Sequence, residues 1–243
     1  MPNESAGAPP APLPAELIPD FERFRSALRA GGAGVASQLG AAGAASQSGS
    51  ALLTSPQAEA GWREYGRLLH ERSAALALIA KGDRGEVFTR HILDSLNPVA
   101  LFDPPPTSLL DVGSGGGLPG IPLAIAWPDT RVVLLESRER KAGFLELAVR
   151  RLGLRHVRVV CARLEDLESQ WREEPAGAVV VRAVGDLGRM LGLAAAVARP
   201  GARWVYFLGA RAGEEVLPSE SSFEARVVEG AFGGRLLTGI FPG

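Results

Sequence analysis

The feature that most constrains the fold is a glycine-rich turn that follows an apolar run. Residues 109–120 read Leu-Leu-Asp-Val-Gly-Ser-Gly-Gly-Gly-Leu-Pro-Gly. This order indicates a buried strand, a tight turn and the start of a helix. Glycine permits positive φ and lets a ligand approach the backbone without meeting a Cβ, and the N–H groups that open the helix face such a ligand. We therefore expect the turn to form a binding site.

The chain after residue 107 alternates between strand and helix patterns. Short apolar, β-branched runs predict strands at 108–112, 131–136, 157–161, 178–182 and 203–208, with weaker candidates at 225–228 and 236–241. Helical patterns lie between them at 119–127, 138–152, 164–171 and 186–198, and Pro200-Gly201 is predicted to be a turn. This alternation predicts an α/β fold, a doubly wound and mostly parallel sheet whose ligand lies at the carboxyl ends of the strands.

The residues before 107 predict a helical extension. A disordered start at 1–14, a short amphipathic helix at 15–30 and a flexible linker at 31–50 make up a partly disordered segment, 1–53. Thr-Ser-Pro-Gln at 54–57 is a helix start, and that helix is expected to end near residue 80. A second helix at 85–101 ends before three prolines. We interpret 54–106 as a helical cap and 107–243 as the ligand-binding domain.

Composition limits the class of protein and its environment. The net charge is −1, so a nucleic-acid surface would have to be a local patch. The single Cys161 excludes an internal disulfide and a cysteine metal cluster. No apolar run approaches the ~18 residues of a membrane span, and the N-terminus lacks the pattern of a signal peptide. We expect a cytoplasmic monomer without a metal or a membrane partner.

Two ligands compete for the glycine turn. Gly115, Gly117 and Gly120 match the dinucleotide pattern, with an acid about twenty residues further on. The alternative is the S-adenosylmethionine pattern, an acid, one residue and then Gly-x-Gly-x-Gly, which Asp111 and Gly113 begin. An anionic pyrophosphate gains nothing from a carboxylate, whereas a cofactor with an amino group and a sulfonium does. The acid favours S-adenosylmethionine.

Acids and an apolar residue after the next two strands suit the rest of that cofactor. Glu136 ends the second predicted strand, where its carboxylate would accept both ribose hydroxyls, the alternative being a solvated strand end. Leu164 would cover the adenine, and Glu165, Asp166 or a backbone group would accept from its amine. Residues 162–165 equally suit the start of a helix, and the residues alone leave that open.

Two segments resemble a known family. His-Ile-Leu-Asp-Ser-Leu at 91–96 and the glycine turn continued by Leu-Pro-Gly-Ile-Pro-Leu at 118–123 are similar to the RsmG (GidB) family, over about 54–216. These bacterial class I, Rossmann-like enzymes use S-adenosyl-L-methionine to methylate N7 of a guanine in 16S ribosomal RNA. The resemblance implies that fold, that cofactor and the small ribosomal subunit as partner. It also implies cofactor contacts, with Glu136 at the ribose and with Gly113, Leu118, Leu164, Glu165 and Arg182.

The chain departs from the family pattern at two places. Ala77, Leu78 and Ile79 stand where the family usually has Asn-Leu-Thr. Leu208 replaces the lysine of a Leu-Lys-Gly segment, and Arg211 is the nearest cation. These departures keep open a methyltransferase with another substrate, or a non-catalytic RNA-binding relative.

The expected chemistry needs no general base, because guanine N7 carries a lone pair and no proton. Asp94 is the candidate for stabilising the cationic product, its alternative being an i,i+4 pair with Arg90. Arg182, at the end of the fourth strand, is placed to meet the cofactor carboxylate or an RNA phosphate. His91 would stack on or hydrogen-bond RNA, or would be a structural histidine.

A local excess of cations suggests where RNA binds. Arg138, Arg140 and Lys141 begin a predicted helix, where positive charge opposes the helix dipole. Such an unfavourable placement suggests phosphate contact, and the alternative is a solvated helix face. Further cations follow in the same region, namely Arg150, Arg151, Arg155, Arg158 and Arg163.

Overall fold

The structure is a computed structural model that describes residues 11–38, 53–167, 174–182, 185–208 and 224–243. Its centre is a seven-stranded sheet in the order β3-β2-β1-β4-β5-β7-β6. The strands are β1 (Ser108–Val112), β2 (Arg131–Leu135), β3 (Val157–Val160), β4 (Ala176–Arg182), β5 (Ala198–Phe207), β6 (Ala225–Glu229) and β7 (Arg235–Ile240). The first five strands are parallel, and β7 runs antiparallel to β5 and β6.

The strand order confirms the predicted doubly wound sheet. On one side of β1 the sheet continues with β2 and then β3, and on the other side it continues with β4 and then β5. The order of the strands therefore reverses between β1 and β4. Ligands of such sheets bind at the carboxyl ends of the strands beside this reversal. The glycine turn leaves β1 at that edge.

The expected turn at Pro200-Gly201 is wrong, because β5 begins earlier, at Ala198. Ala176 pairs with Ala198 and Ala178 with Arg203, so the register shifts within this pair of strands. Gly201 has a φ of +77° in this irregular stretch. The left-handed residue Gly201 therefore lies within the irregular part of β5 and not in a separate turn.

The helices flank both faces of the sheet. They are α1 (Ile18–Gln38), α2 (Pro56–Leu76), α3 (Gly120–Ala126), α4 (Glu139–Leu152) and α5 (Leu187–Ala195). The helix start predicted at 54–57 is confirmed, and Ser55 is the residue that caps α2, accepting from the Ala58 N–H at 3.2 Å. The prediction that α2 reaches residue 80 is wrong, because Ala77 adopts the left-handed conformation and ends it.

The predicted linker at 31–50 is wrong for its first part, because α1 continues to Gln38. Alanines in this stretch favour a helix and offset its glycines. The remainder, 39–50, lies outside the described residues. The helix predicted at 164–171 is described only as far as residue 167. Within that part, Leu164–Asp166 forms a 3₁₀ turn.

The single helix predicted at 85–101 is wrong. Residues 81–101 form a chain of short helical pieces, with 3₁₀ turns at Lys81–Glu86 and Asn97–Leu101, a π-helix at Val87–Ile92 and an α-helical turn at Leu93–Ser95. Tertiary contacts cause the break. The carboxylate of Asp20, in α1, accepts from the Phe88 N–H at 2.7 Å and the Thr89 hydroxyl at 2.5 Å. Asp20 therefore fixes the start of the π-helix.

The helical cap and the sheet share one apolar cluster. Fully buried Phe21 of α1, together with Trp62, Tyr65 and Phe88 of the cap, belongs to the same cluster as Val180 of β4. A second cluster covers the opposite face beneath α5. The division of the chain at 53 and 106 stays a prediction.

Candidate functional site

The glycine turn holds its shape through left-handed residues and two backbone bonds. Gly113, Gly115 and Gly117 have φ values of +72°, +57° and +89°. The N–H groups of Gly113 and Ser114 both donate to the Leu135 carbonyl at 2.9 Å. A Cβ on Gly117 would lie 2.5 Å from Ile121, whereas one on Gly115 would meet nothing nearer than an oxygen at 3.7 Å. Gly115 thus leaves open space beside a strained backbone, as a ligand cradle requires.

The helical cap supports the turn from the other side. The Tyr65 hydroxyl donates to the Gly116 carbonyl at 2.7 Å. Leu69 and Leu78 lie so close that a Cβ on Gly116 would be 3.1 and 3.2 Å from them. Sequence reasoning missed this role of Tyr65. No local pattern could have found it, because the bond joins residues 51 positions apart.

Asp111 is fully buried behind the turn. Its Oδ2 accepts the Gly120 N–H at 3.0 Å, so the carboxylate caps the start of α3. Burial raises the pKa of Asp111 to about 7, and hydrogen bonds from Ser114 and Gly120 oppose that rise. The acid of the sequence pattern therefore supports the turn and titrates near neutral pH.

Glu136 joins the turn to the start of α4. Its Oε2 accepts the Gly115 N–H at 2.9 Å, and its Oε1 accepts the Arg138 N–H at 2.8 Å. The side chain is 6% exposed, so the alternative of a solvated strand end is wrong. Contact with a ribose stays a prediction, and it would use the remaining lone pairs of this carboxylate.

A cleft of about 270 Å³ opens at the carboxyl ends of β1 to β3 and is covered by α5. Its lining includes Gly113, Leu164 and Glu165, three of the predicted cofactor contacts. Glu165 forms an ion pair with Arg189 of α5 at 3.0 Å. Leu164–Asp166 forms a 3₁₀ turn, and two of its residues, Leu164 and Glu165, line the cleft. Contact of this segment with adenine stays a prediction. A larger cavity of about 740 Å³ lies at the opposite edge of the sheet, around Arg203.

The residue after the turn, Leu118, faces the core rather than this cleft. It is partly buried against the apolar cluster beneath the cap, and its N–H donates to the Ser114 carbonyl at 3.1 Å. Its cofactor contact stays a prediction.

The structure brings together Asp94 and Arg182, the two predicted catalytic residues. Arg182 Nη2 lies 2.8 Å from Asp94 Oδ2, and Nη1 donates to the Ser95 hydroxyl at 3.0 Å and to the His91 carbonyl at 3.3 Å. The guanidinium also lies over the Phe207 ring, 5.5 Å from its centroid. Arg182 therefore joins the end of β4 to the cap, beside the glycine turn.

The alternative pair of Asp94 with Arg90 is wrong. Arg90 pairs instead with Asp83 at 3.2 Å and with Glu86 at 3.7 Å. The His91 ring is largely buried, with Nε2 3.3 Å from Asp83. Burial lowers the pKa of His91, and the Arg182 charge lowers it further. These contacts support the structural interpretation of His91, and its RNA contact stays a prediction.

The cations of the predicted RNA surface divide between two edges of the sheet. Arg138 and Arg140 are exposed at the start of α4, with Lys141 half-buried beside them. Arg140 reaches the Ala75 carbonyl at the end of α2, at 3.5 Å. Arg151 lies at the other end of α4, about 16 Å further along the helix axis at 1.5 Å per residue. Arg138, Arg140 and Lys141 lie at the edge that carries the cleft, and Arg163 is part of the lining of the cleft itself. Arg211 lies outside the described residues.

The part of the chain that the structure describes holds neither a metal-ligand cluster nor a membrane-spanning helix. Within it, histidine, cysteine, aspartate and glutamate do not gather in any group of three that could hold a metal ion. In the same residues, helices long and apolar enough to cross a membrane are absent.

The fold and the site define the class of protein. The chain has the architecture of class I S-adenosylmethionine methyltransferases, confirming the predicted fold class. It superposes on cofactor-bound Rv0187 from MTB with a TM-score of 0.55, at 22% identity over 80% of this chain and 94% of that one. It also superposes on the O-methyltransferase TomG from Streptomyces achromogenes with a TM-score of 0.51, at 18% identity over 75% and 90%.

Sequence comparison identifies the family. The GidB family model, described as rRNA small subunit methyltransferase G, matches residues 59–232. The chain is 39% identical to ribosomal RNA small subunit methyltransferase G of Pelotomaculum thermopropionicum over 72% of both chains. It is 37% identical to that of Aromatoleum aromaticum over 72% of this chain and 82% of the relative. The chain belongs to the rRNA small subunit methyltransferase G (GidB) family, which confirms the predicted resemblance.

Proposed function

We propose that the protein methylates N7 of a guanine in 16S ribosomal RNA, with S-adenosyl-L-methionine as the methyl donor. The observation that carries this proposal is the left-handed glycine turn opening on the cleft, within a match to one rRNA methyltransferase family over residues 59–232. Family membership supports the activity, and the site supports the cofactor.

The residues at the turn suit this cofactor. Gly113 lines the cleft, Gly115 leaves space beside its backbone, and Leu164 offers an apolar surface for the adenine. We expect Glu136 to accept from the ribose hydroxyls and Glu165 from the adenine amine. S-adenosylmethionine, when bound, supplies an electrophilic methyl group on a sulfonium. Asp111 and Tyr65 hold the turn in shape from behind.

The chain contributes alignment rather than proton transfer. Guanine N7 has a lone pair and no proton, so attack on the methyl group needs no base. Holding two reactants in line contributes several kcal/mol to catalysis. Arg182, fixed between β4 and the cap, places a cation at this edge of the sheet. Asp94 forms an ion pair with Arg182. We therefore expect the two charges to act together on the cationic product that Asp94 would stabilise.

The cations at the start of α4 supply an RNA surface beside the cleft. Arg138, Arg140 and Lys141 lie next to Glu136 in sequence and next to the end of α2 in space. Phosphate contacts from such residues orient the RNA without reading its bases. His91 borders the same edge from the cap. Arg211 adds a further cation in the sequence.

We expect the protein to act as a monomer in the cytoplasm and without a metal. Light scattering of the purified chain measures its mass in solution. Methyl transfer in the presence of a chelator tests the need for a metal, and undiminished transfer is the expected result.

The function is tested by methyl transfer from labelled S-adenosylmethionine to small ribosomal subunits that lack the modification. Incorporation into 16S RNA is the expected result. Leu208, in place of the lysine usual in the family, motivates a second candidate, a methyltransferase with another RNA or a small-molecule substrate. Labelling of such a substrate and not of subunits would favour that candidate. Calorimetry with S-adenosylmethionine against NAD tests the cofactor, and tighter NAD binding would overturn the assignment.

A further inference from the structure

Asn97 bonds to the turn between β6 and β7 and, through Asp94, connects that turn to Arg182 at the end of β4. It is the first residue of the 3₁₀ turn Asn97–Leu101, just after the α-helical turn Leu93–Ser95, and it is 1% exposed. A buried amide is costly unless its polar atoms are hydrogen-bonded. Here both ends of the amide have partners, which distinguishes Asn97 from a residue that only fills space.

The acceptor end of Asn97 holds the turn of the β6–β7 hairpin. Its Oδ1 accepts the Phe232 N–H at 2.7 Å and the Gly234 N–H at 3.2 Å. Its backbone carbonyl accepts the Ala231 N–H at 3.1 Å. A Cβ on Gly230 or Gly234 would collide with the Asn97 side chain, so the glycines of this turn make room for the amide.

The donor end of Asn97 holds Asp94. Its Nδ2 donates to Asp94 Oδ1 at 2.9 Å, while Asp94 Oδ2 lies 2.8 Å from Arg182 Nη2. The two oxygens of Asp94 are therefore divided between a neutral donor and a cation. Fixing Oδ1 determines the rotation of the carboxylate, and that rotation determines where Oδ2 meets Arg182.

We propose that Asn97 is a positioning residue for Arg182, acting through Asp94, and that the hairpin turn at 230–234 is thereby a structural part of the active site. This inference rests on the proposed function, because it assigns Arg182 to the reaction edge. The hairpin holds Asn97, Asn97 orients Asp94, and Asp94 holds Arg182 against Ser95 and the His91 carbonyl. Sequence reasoning singled out Asp94 and Arg182 but not the amide behind them.

The substitution Asn97→Asp separates the roles of the two ends of the amide, because it removes the donor and keeps the acceptor. An aspartate keeps an acceptor for the Phe232 and Gly234 N–H groups but replaces the donor with a second carboxylate beside Asp94. Like charges at this distance repel, so Asp94 must turn away or take up a proton. We expect kcat for methyl transfer to small subunits to fall at least tenfold. A rise in the Kd for S-adenosylmethionine smaller than the loss of kcat should accompany it, because Arg182 is a predicted cofactor contact although Asn97 itself does not line the cleft.

A double-mutant cycle with Asp94→Asn tests whether Asn97 acts through Asp94. We expect Asp94→Asn to lower kcat by a similar factor and the double variant to lose no more than about twofold beyond it, because residues that act in series are non-additive. Fully additive losses would overturn the proposal. Thr238→Val is the control, since it removes a buried bond to the Trp204 carbonyl in the same hairpin without touching Asp94. An equal loss of kcat in this control would mean that Asn97 is merely structural.

The test also separates failure of the inference from failure of the proposed function. If the wild-type chain transfers no methyl group to any subunit, the proposed function fails. The network is then measured in urea unfolding, with Asn97→Asp and Arg182→Gln alone and together. The inference is supported if the two substitutions shift the urea midpoint non-additively in the wild-type background and additively in an Asp94→Asn background. Additive shifts in both backgrounds overturn the inference.

Discussion

The hydroxyl of Tyr65 donates a 2.7 Å hydrogen bond to the carbonyl oxygen of Gly116 across 51 residues of sequence. The bond connects α2 of the cap to the glycine turn, which is the proposed cofactor cradle. Burial raises the pKa of Tyr65 well above its usual range, and the nearby Asp111 charge adds to that effect. The hydroxyl therefore stays protonated as a donor, and the cap takes part in the shape of the cofactor site.

Tyr65→Phe is expected to lower the free energy of unfolding by about 1–3 kcal/mol, because the buried Gly116 carbonyl loses its donor. It should also weaken S-adenosylmethionine binding, since the turn loses its support. Ser73→Ala is a matched control, because it removes a buried hydroxyl that bonds within α2, to the Leu69 carbonyl. Urea unfolding and calorimetry on both variants should show similar destabilisation but weaker binding only for Tyr65→Phe. Equal affinities would contradict this role.

Gly115→Val is expected to abolish cofactor binding. The substitution puts a branched side chain into the open space of the cradle and onto a backbone with a φ of +57°. Gly153→Val separates strain from blockage, because Gly153 has a φ of +65° at the end of α4 and open space around it. Calorimetry should find no binding for the first variant and near wild-type binding for the second. Wild-type affinity in Gly115→Val would mean that the ligand lies elsewhere.

Asp111 is expected to make stability fall as the pH rises. Its folded pKa of about 7 lies above its unfolded value, so the folded state binds the proton more tightly and loses this advantage between about pH 4 and 7. The effect amounts to at most about 4 kcal/mol. In urea unfolding from pH 4 to 8, the stability of wild type relative to Asp111→Asn should decrease with pH. A difference that does not change with pH would refute the raised pKa.

Arg140→Glu is expected to weaken binding to ribosomal RNA without changing the affinity for S-adenosylmethionine. Loss of one phosphate contact should reduce the slope of log K against log salt by about 0.7–0.9. Arg151→Glu makes the same charge change on the same helix, at the edge away from the cleft. Filter binding to small subunits over a range of salt concentrations measures both variants. Equal losses would point to a general charge effect rather than to an interface at the start of α4.

Local sequence patterns predicted the sheet well. The apolar runs that became β1 to β3 lie within one residue of the observed strands. Strand β1 is buried throughout and therefore apolar on both faces, and the edge strand β3, though only half-buried, is marked by its β-branched valines. The glycine turn and the helix start at 54–57 were equally predictable, since each depends on residues within one turn of the chain. The confirmed family followed from the same stretch.

Contacts distant in sequence were not predictable in this way. The helix expected at 85–101 is broken because Asp20, about 70 residues earlier, holds the start of the π-helix. Asp94 was matched with Arg90 by helical spacing, yet its partner is Arg182, on a strand end. Asn97 meets the hairpin turn across 135 residues. No local periodicity carries such information, so the cofactor edge was predicted better than the network that supports Arg182.

The most direct measurement of the central claim is the identity of the methylated base. Small subunits that lack the modification are incubated with the protein and labelled S-adenosylmethionine, and their 16S RNA is digested to nucleosides and analysed by mass spectrometry. The label is expected in N7-methylguanosine, and Gly115→Val should give none. Label in another nucleoside, or none with the wild-type chain, would contradict the assignment.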